Sequence, residues 1–198
     1  MTTQTAPKNL APPRRRFTRE EYHRLGELGI LKPDERVELI KGEVMTMAPI
    51  GSTHASTVII LIQLLTGLFR GQALVSVQNP IGLSDSEPQP DVSLLKPRGD
   101  HYRGAHPAPD DVLLVIEVAD TSLGYDMGTK APLYAESGIR ELWVVDVNAS
   151  RLHVFRGPNG KAFETVFQLN RGQAVAPLAF PTTMIPVEDI LGPTVPAA

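Results

Sequence analysis

Cysteine is absent from all 198 residues, which excludes a disulfide framework, a cysteine-ligated zinc site and a thiol nucleophile, and suits a reducing compartment. Long apolar runs are absent as well. The longest uninterrupted aliphatic stretch near a helix, Val58 to Ile62, falls far short of the ~20 residues that a bilayer crossing needs. No apolar signal core precedes the first helical pattern, so the sequence reads as a cytoplasmic chain with no membrane association. An excess of positive charge is missing too: 19 Lys+Arg against 22 Asp+Glu give a formal net charge of -3. Any contact with a polyanion must therefore be local rather than the work of a global basic field. Aromatic residues supply only 6% of the chain and form no stacking platform, which argues against sugar chemistry by paired carboxylates.

What is present is enough for one full-sized core, since 42% of the residues are hydrophobic and the length favours one domain over two. We place that domain at 17–192, after a Thr/Pro/Ala-rich tail over 1–16 and before a short tail over 193–198. The tail closes on Arg14, Arg15 and Arg16, a solvated cluster or a phosphate-binding arm.

Along the chain, "FTREEYHRLGELGI" places Thr18 three residues before Glu21, the capping-box pattern, and predicts a helix to about Leu28. "RVELI" and "EVMTM" around Lys41-Gly42 predict a β-hairpin. "GSTHASTVIILIQLLTGLFRG" predicts an apolar helix that is buried or used at an interface between two copies. Short strands are predicted at "ALVSV" and "DVSLL", then an exposed loop rich in Gly, Pro and His over 96–111. "VLLVIEVA" predicts a central strand covered on both faces, followed by a helix from about Asp126 to Ser137 and a second strong strand, "ELWVVDV". Strand, crossover helix and strand imply a parallel pair. "RLHVFR", the turn "GPNG" and "AFETVFQL" predict a closing hairpin. The fold class is α/β to α+β, a mixed sheet flanked by helices with an added N-terminal helix and β-hairpin.

Glu117 breaks an otherwise apolar run near the carboxyl end of the central strand, the end at which open sheets bind ligands. A carboxylate there needs water, an arginine or a metal ion as partner, since burial unpaired costs several kcal/mol. Asp91 follows Pro90 in "QPDVSLL" and projects from the first residue of a strand, although Pro-Asp alone is equally turn chemistry. Asp126, Lys130 and Tyr134 recur at i, i+4 and i+8 on one helical face. They read either as a solvated Asp-Lys pair or as a lysine reaching the strand ends, with Pro132 making the turn around Lys130 irregular.

The ordered set "QPDVSLL", "VLLVIEVADTS" and "YDMGTKAPLYAESGIRELWVVDV", with "RVELIKGEVMTMAPIGSTHA" upstream, resembles the Uma-two family of endonucleases, a branch of the PD-(D/E)XK superfamily, over about residues 17–192. The resemblance implies a restriction endonuclease-like fold, a divalent-metal site for Mg²⁺ or Mn²⁺, DNA as substrate and a homodimer. It implies that Asp91 and Glu117 are metal ligands, with the Val118 carbonyl as a third. The lysine expected two residues after Glu117 is replaced by Ala119, and Lys130 matches the lysine that the family carries on the following helix. Glu38 matches a glutamate of the opening hairpin, an added ligand or base, or else an outward residue paired with Arg36 or Lys41. His54 falls on a motif position near a helix N-terminus, where it would contact phosphate or serve as a cap. His101 and His106 lie five residues apart on the exposed loop with no cysteine or third histidine nearby, which argues against zinc binding by either. The reading that competes with a nuclease is a catalytically inactive binding or regulatory module on the same fold.

Overall fold

The computed structural model describes residues 14–193; of the predicted tails over 1–16 and 193–198, residues 1–13 and 194–198 lie outside the described residues, while Arg14 pairs with Glu43 and Arg15 with Glu21. Thr18 caps helix α1 (Arg19–Glu27) through a complete capping box: its hydroxyl accepts from Glu21 N–H at 3.2 Å, and the Glu21 carboxylate accepts from Thr18 N–H at 3.1 Å. Two of the orphan donors at the helix start are satisfied in this way. The hairpin follows as β1 (Val37–Ile40) and β2 (Glu43–Thr46), paired antiparallel. Its two turn residues, Lys41 and Gly42, both have positive φ, 49° and 76°, the geometry whose twist matches that of the flanking strands. At Gly42 a Cβ would stand 2.5 Å from Arg16 Cβ, so the chain entering α1 packs directly on the turn.

Helix α2 (Ser52–Leu68) starts one residue after Gly51, and no side chain caps it. Its buried positions Thr57, Val58, Leu61 and Leu65 follow the helical period, so a single stripe meets the sheet while Ile59 stays 56% exposed. The main sheet is built from β3 (Leu74–Val77), β4 (Val92–Leu95), β5 (Val112–Ala119), β6 (Glu141–Asp146), β7 (Arg151–Pro158) and β8 (Phe163–Asn170), in that spatial order. Only β5 and β6 run parallel, and the chain between them crosses over as a helix, as the strand-helix-strand pattern predicts. That crossover begins earlier than the sequence suggests, with α3 (Leu123–Tyr125), and continues through α4 (Ala131–Glu136).

Central strand β5 is covered on both faces. Leu114, Ile116 and Val118 pack with α2 and with the closing helix α5 (Val187–Leu191), while Val115 and Ala119 pack with α4. Successive residues of a strand face opposite sides, so Glu117 shares the α4 side with Val115 and Ala119. Small strands β9 (Ala174–Val175) and β10 (Ile185–Pro186) pair beside α5. Among the described residues, no helix is long and apolar enough to cross a membrane.

Candidate active site

Strand register brings the two predicted carboxylates together. β4 and β5 pair antiparallel with Val92 opposite Ile116, so one step outward sets Asp91 across from Glu117. Asp91 stands one residue before β4 rather than within it, and its Oδ2 accepts from Val118 N–H at 2.8 Å. The N–H and C=O of one strand residue face the same neighbour, so the Val118 carbonyl opens on the Asp91 edge too. Gln78, whose φ of 49° is held by its N–H bond to the Asp91 carbonyl, closes this edge from β3. His54, in the first turn of α2, reaches over from the opposite face of the sheet and places Nε2 3.0 Å from Asp91 Oδ1.

Lys130 arrives from the crossover helix because that helix is locally widened. Between α3 and α4, Asp126–Lys130 form a π-turn in which Ala131 N–H donates to the Asp126 carbonyl, five residues back. Pro132, directly after, has no N–H to give to an ordinary helical ladder, and a π-turn absorbs the interruption while turning the side chains before it. The Lys130 ammonium lies 3.2 Å from Glu117 Oε1 and 3.3 Å from Glu38 Oε2, with only 7% of its side chain exposed. Ala119, where the superfamily pattern has its lysine, is wholly buried in the core beside α4. The ammonium thus approaches Glu117 from the helix instead of from the strand.

Glu38 points inward. It is 2% exposed and accepts from Lys130, from the Tyr125 hydroxyl at 3.2 Å and from Gln89 N–H at 3.2 Å. The alternative partners are engaged elsewhere, Arg36 with the Ala48 carbonyl and Lys41 with Glu136. Tyr134 donates from α4 to Glu117 Oε1 at 2.7 Å. The solvated Asp126-Lys130 pair that i, i+4 spacing allows does not form: Asp126 is buried and accepts from Ser122 at 2.6 Å. Tyr125, Gln89 and Ser122 carried no signal in the sequence, since a lone tyrosine, glutamine or serine has no spacing rule that links it to a strand end.

Charge decides how these groups behave. Glu38, Asp91, Glu117 and Asp126 crowd one end of the sheet with Lys130 and, when protonated, His54 as their cationic partners. Burial pushes Glu117 up to about 8; Lys130 pulls it down, while Asp126 and Asp91 push it further up. Lys130 itself is held above the usual lysine range: burial lowers it, but Glu117, Glu38 and the neighbouring aspartates more than compensate, so it stays protonated. His54 is raised chiefly by its hydrogen bond to Asp91, and its Nδ1 is buried with no partner. Asp126 is raised by burial, which its Ser122 bond partly offsets.

These groups line a cavity of about 420 Å³ together with Arg36, Ile50 and Asp120. A divalent cation fits the donor set. Asp91, Glu117 and the Val118 carbonyl offer oxygen only, the chemistry preferred by Mg²⁺ and Mn²⁺, and the surplus of carboxyl over cationic groups leaves room for added positive charge.

Residues 19–188 match a family described as "putative restriction endonuclease". A solved "putative nuclease belonging to DUF820" from Anabaena variabilis superposes with a TM-score of 0.63 at 17% identity, covering 82% of this chain and 94% of its own. At that identity the likeness establishes the shared fold, a mixed sheet flanked by helices. No curated protein matches the chain. The family match spans the hairpin, both carboxylate strands and the crossover helix that together build the cavity, and the chain belongs to the Uma2 family of restriction endonuclease-like proteins.

Proposed function

We propose that this protein hydrolyses phosphodiester bonds of DNA as a Mg²⁺- or Mn²⁺-dependent endonuclease in the cytoplasm. The observation that carries the reading is the bridge from Lys130 to both Glu117 and Glu38, which restores an ammonium beside the strand carboxylate although the strand lysine is Ala119. Asp91, Glu117 and the Val118 carbonyl hold the cation. When bound, it supplies positive charge against the phosphate and acidifies water.

The remaining steps belong to the side chains. Lys130 keeps its proton and donates hydrogen bonds to the attacking water and to the phosphate oxygens as charge builds on them. Tyr134 fixes one oxygen of Glu117, leaving the other for the cation. Glu38, held by Tyr125 and Gln89, accepts a proton from the water side. His54 lines the cavity beside Asp91 and, when protonated, adds positive charge toward the phosphate. A polyanion thus meets cationic groups inside the cavity even though the chain as a whole is acidic.

The test is cleavage of a long, heterogeneous DNA, single-stranded and duplex, with Mn²⁺ or Mg²⁺. The wild type is expected to cut, while Asp91→Asn and Glu117→Gln keep their circular dichroism and do not. Cleavage retained in either purified variant overturns the reading. The protein acts as a homodimer in this proposal, with Ile59 and Leu68 of α2 supplying exposed apolar surface. A monomer by light scattering over a wide concentration range removes that part.

A further inference from the structure

Glu87 lies outside the cavity, and both of its oxygens meet a ring nitrogen. His23 of α1 places Nε2 2.9 Å from Oε1 and 2.9 Å from Oε2. His106, from the long loop before β5, places Nε2 3.7 Å from Oε1. The three ligand atoms all lie within 4.8 Å of one another, and Glu87 is only 3% exposed while both imidazoles reach solvent. We infer that His23, Glu87 and His106 form a Zn²⁺ site, independent of the proposed active site, that clips α1 and the loop over 96–111 to the segment leading into Asp91.

Three arguments converge on this assignment. Donors that bind one Zn²⁺ at about 2.0–2.2 Å stand roughly 3.2–3.6 Å apart in a tetrahedron, and the observed 2.9 and 3.7 Å bracket that range. Two imidazoles and one carboxylate are a set that transition metals favour and that Mg²⁺, which wants oxygen, does not. The carboxylate is also oriented: Arg19 Nε donates to Oε2 at 3.1 Å and Arg19 further holds the Leu83 carbonyl. This leaves Oε1 as the oxygen that both imidazoles share, the kind of outer support that aims a ligand at its metal.

Position gives the site its consequence. Glu87 N–H donates to the Leu39 carbonyl of β1 at 2.7 Å, one residue from Glu38. Two residues further on, Gln89 donates to Glu38 and to the Val37 carbonyl, and Asp91 follows after Pro90. A cation on Glu87 therefore pins α1 and the loop onto the strand and segment that carry Glu38 and Asp91. Spacing along the chain conceals the site, because its histidines are 83 residues apart in sequence (106 − 23) and the carboxylate lies between them.

The experiment is calorimetric titration of Zn²⁺ into the tag-free full chain in excess Mg²⁺, with thermal denaturation alongside. One Zn²⁺ per chain and a rise in Tm are expected. His23→Gln and His106→Gln should each weaken binding at least tenfold and remove the rise, whereas Asp91→Asn and the loop control His101→Gln should leave both intact. His106 is on an exposed loop, so its variant tests the site even where His23→Gln disturbs α1. Absence of Zn²⁺ binding to the wild type, binding unchanged in both histidine variants, or binding lost only in Asp91→Asn overturns the site. Binding through the histidines with no rise in Tm overturns the clip. Cleavage activity enters none of these readouts, so failure of the nuclease proposal and failure of this one are distinguishable.

Discussion

Lys130 Nζ lies 3.2 Å from Glu117 Oε1 and 3.3 Å from Glu38 Oε2, so one ammonium from a π-turn ties the central strand to the N-terminal hairpin. Removing a partner from a buried pair is far costlier than the pair is worth, because the remaining charge is stranded; losses of about 3–5 kcal/mol are usual. Lys130→Met is expected to lower the unfolding free energy by about 3 kcal/mol in urea denaturation and to abolish cleavage. Lys130→Met combined with Glu117→Gln should recover part of the stability and none of the cleavage. A double variant whose change in stability equals the sum of the Lys130→Met and Glu117→Gln changes measured singly would show that the two residues are not energetically coupled.

Glu117 makes the protein less stable as pH rises. Its carboxyl titrates near 4.5 in an open chain and is pushed up to about 8 by burial in the folded one. Between those values the folded state holds a proton that the unfolded state lacks, so stability falls with rising pH and levels off above about 8. Glu117→Gln removes that slope. Relative to the wild type in metal-free buffer, the variant should gain stability between about pH 5 and pH 9, by an amount on the order of 3 kcal/mol. An offset between the two unfolding curves that stays constant over this range counts against the prediction.

The same proton competes with a cation. Mn²⁺ held by Asp91 and Glu117 must displace it, so affinity should increase between about pH 6 and pH 8.5 and binding should release a proton. Paramagnetic resonance titration of Mn²⁺ at the two pH values checks this, with proton release read from the buffer dependence of the binding heat. Asp91→Asn should bind more weakly at both. Equal affinities across the range would mean that Glu117 does not take part.

The elements of this fold are legible wherever a short-range rule governs them. Thr18 and Glu21 announce α1 three residues apart; Lys41-Gly42 announces the hairpin turn; the unbroken run before Glu117 announces a strand covered twice. The positions of Asp91, directly before β4, and Glu117, near the carboxyl end of β5, are also readable from the runs that surround them. What the sequence conceals is direction. Whether Glu38 faced Arg36, Lys41 or the interior depended on the hairpin being laid against the sheet, a contact between elements far apart in the chain. The i, i+4 rule pointed Asp126 at Lys130, but a π-turn occupies that interval and each residue finds another partner. His106 looked isolated on its loop because its neighbour across space, His23, is on the first helix.

His54 is the group through which Asp91 senses pH from the other side. Its hydrogen bond to Asp91 raises it above the usual 6.5, against the opposing effect of burial. A histidine raised on folding contributes stability that is complete below about pH 6.5 and is lost as pH climbs through its folded value. His54→Gln can still donate to Asp91 Oδ1 but carries no charge. It should therefore be less stable than the wild type at about pH 6 and match it at about pH 9, by thermal denaturation. The place of His54 in the cavity lining adds a second expectation that a purely structural pair would not share: with DNA as substrate, KM should rise several-fold in the variant with kcat nearly unchanged, since a charge facing the phosphate equally in ground and transition states affects binding alone. A fall in kcat at constant KM would move His54 from holding the phosphate to acting on the reaction itself.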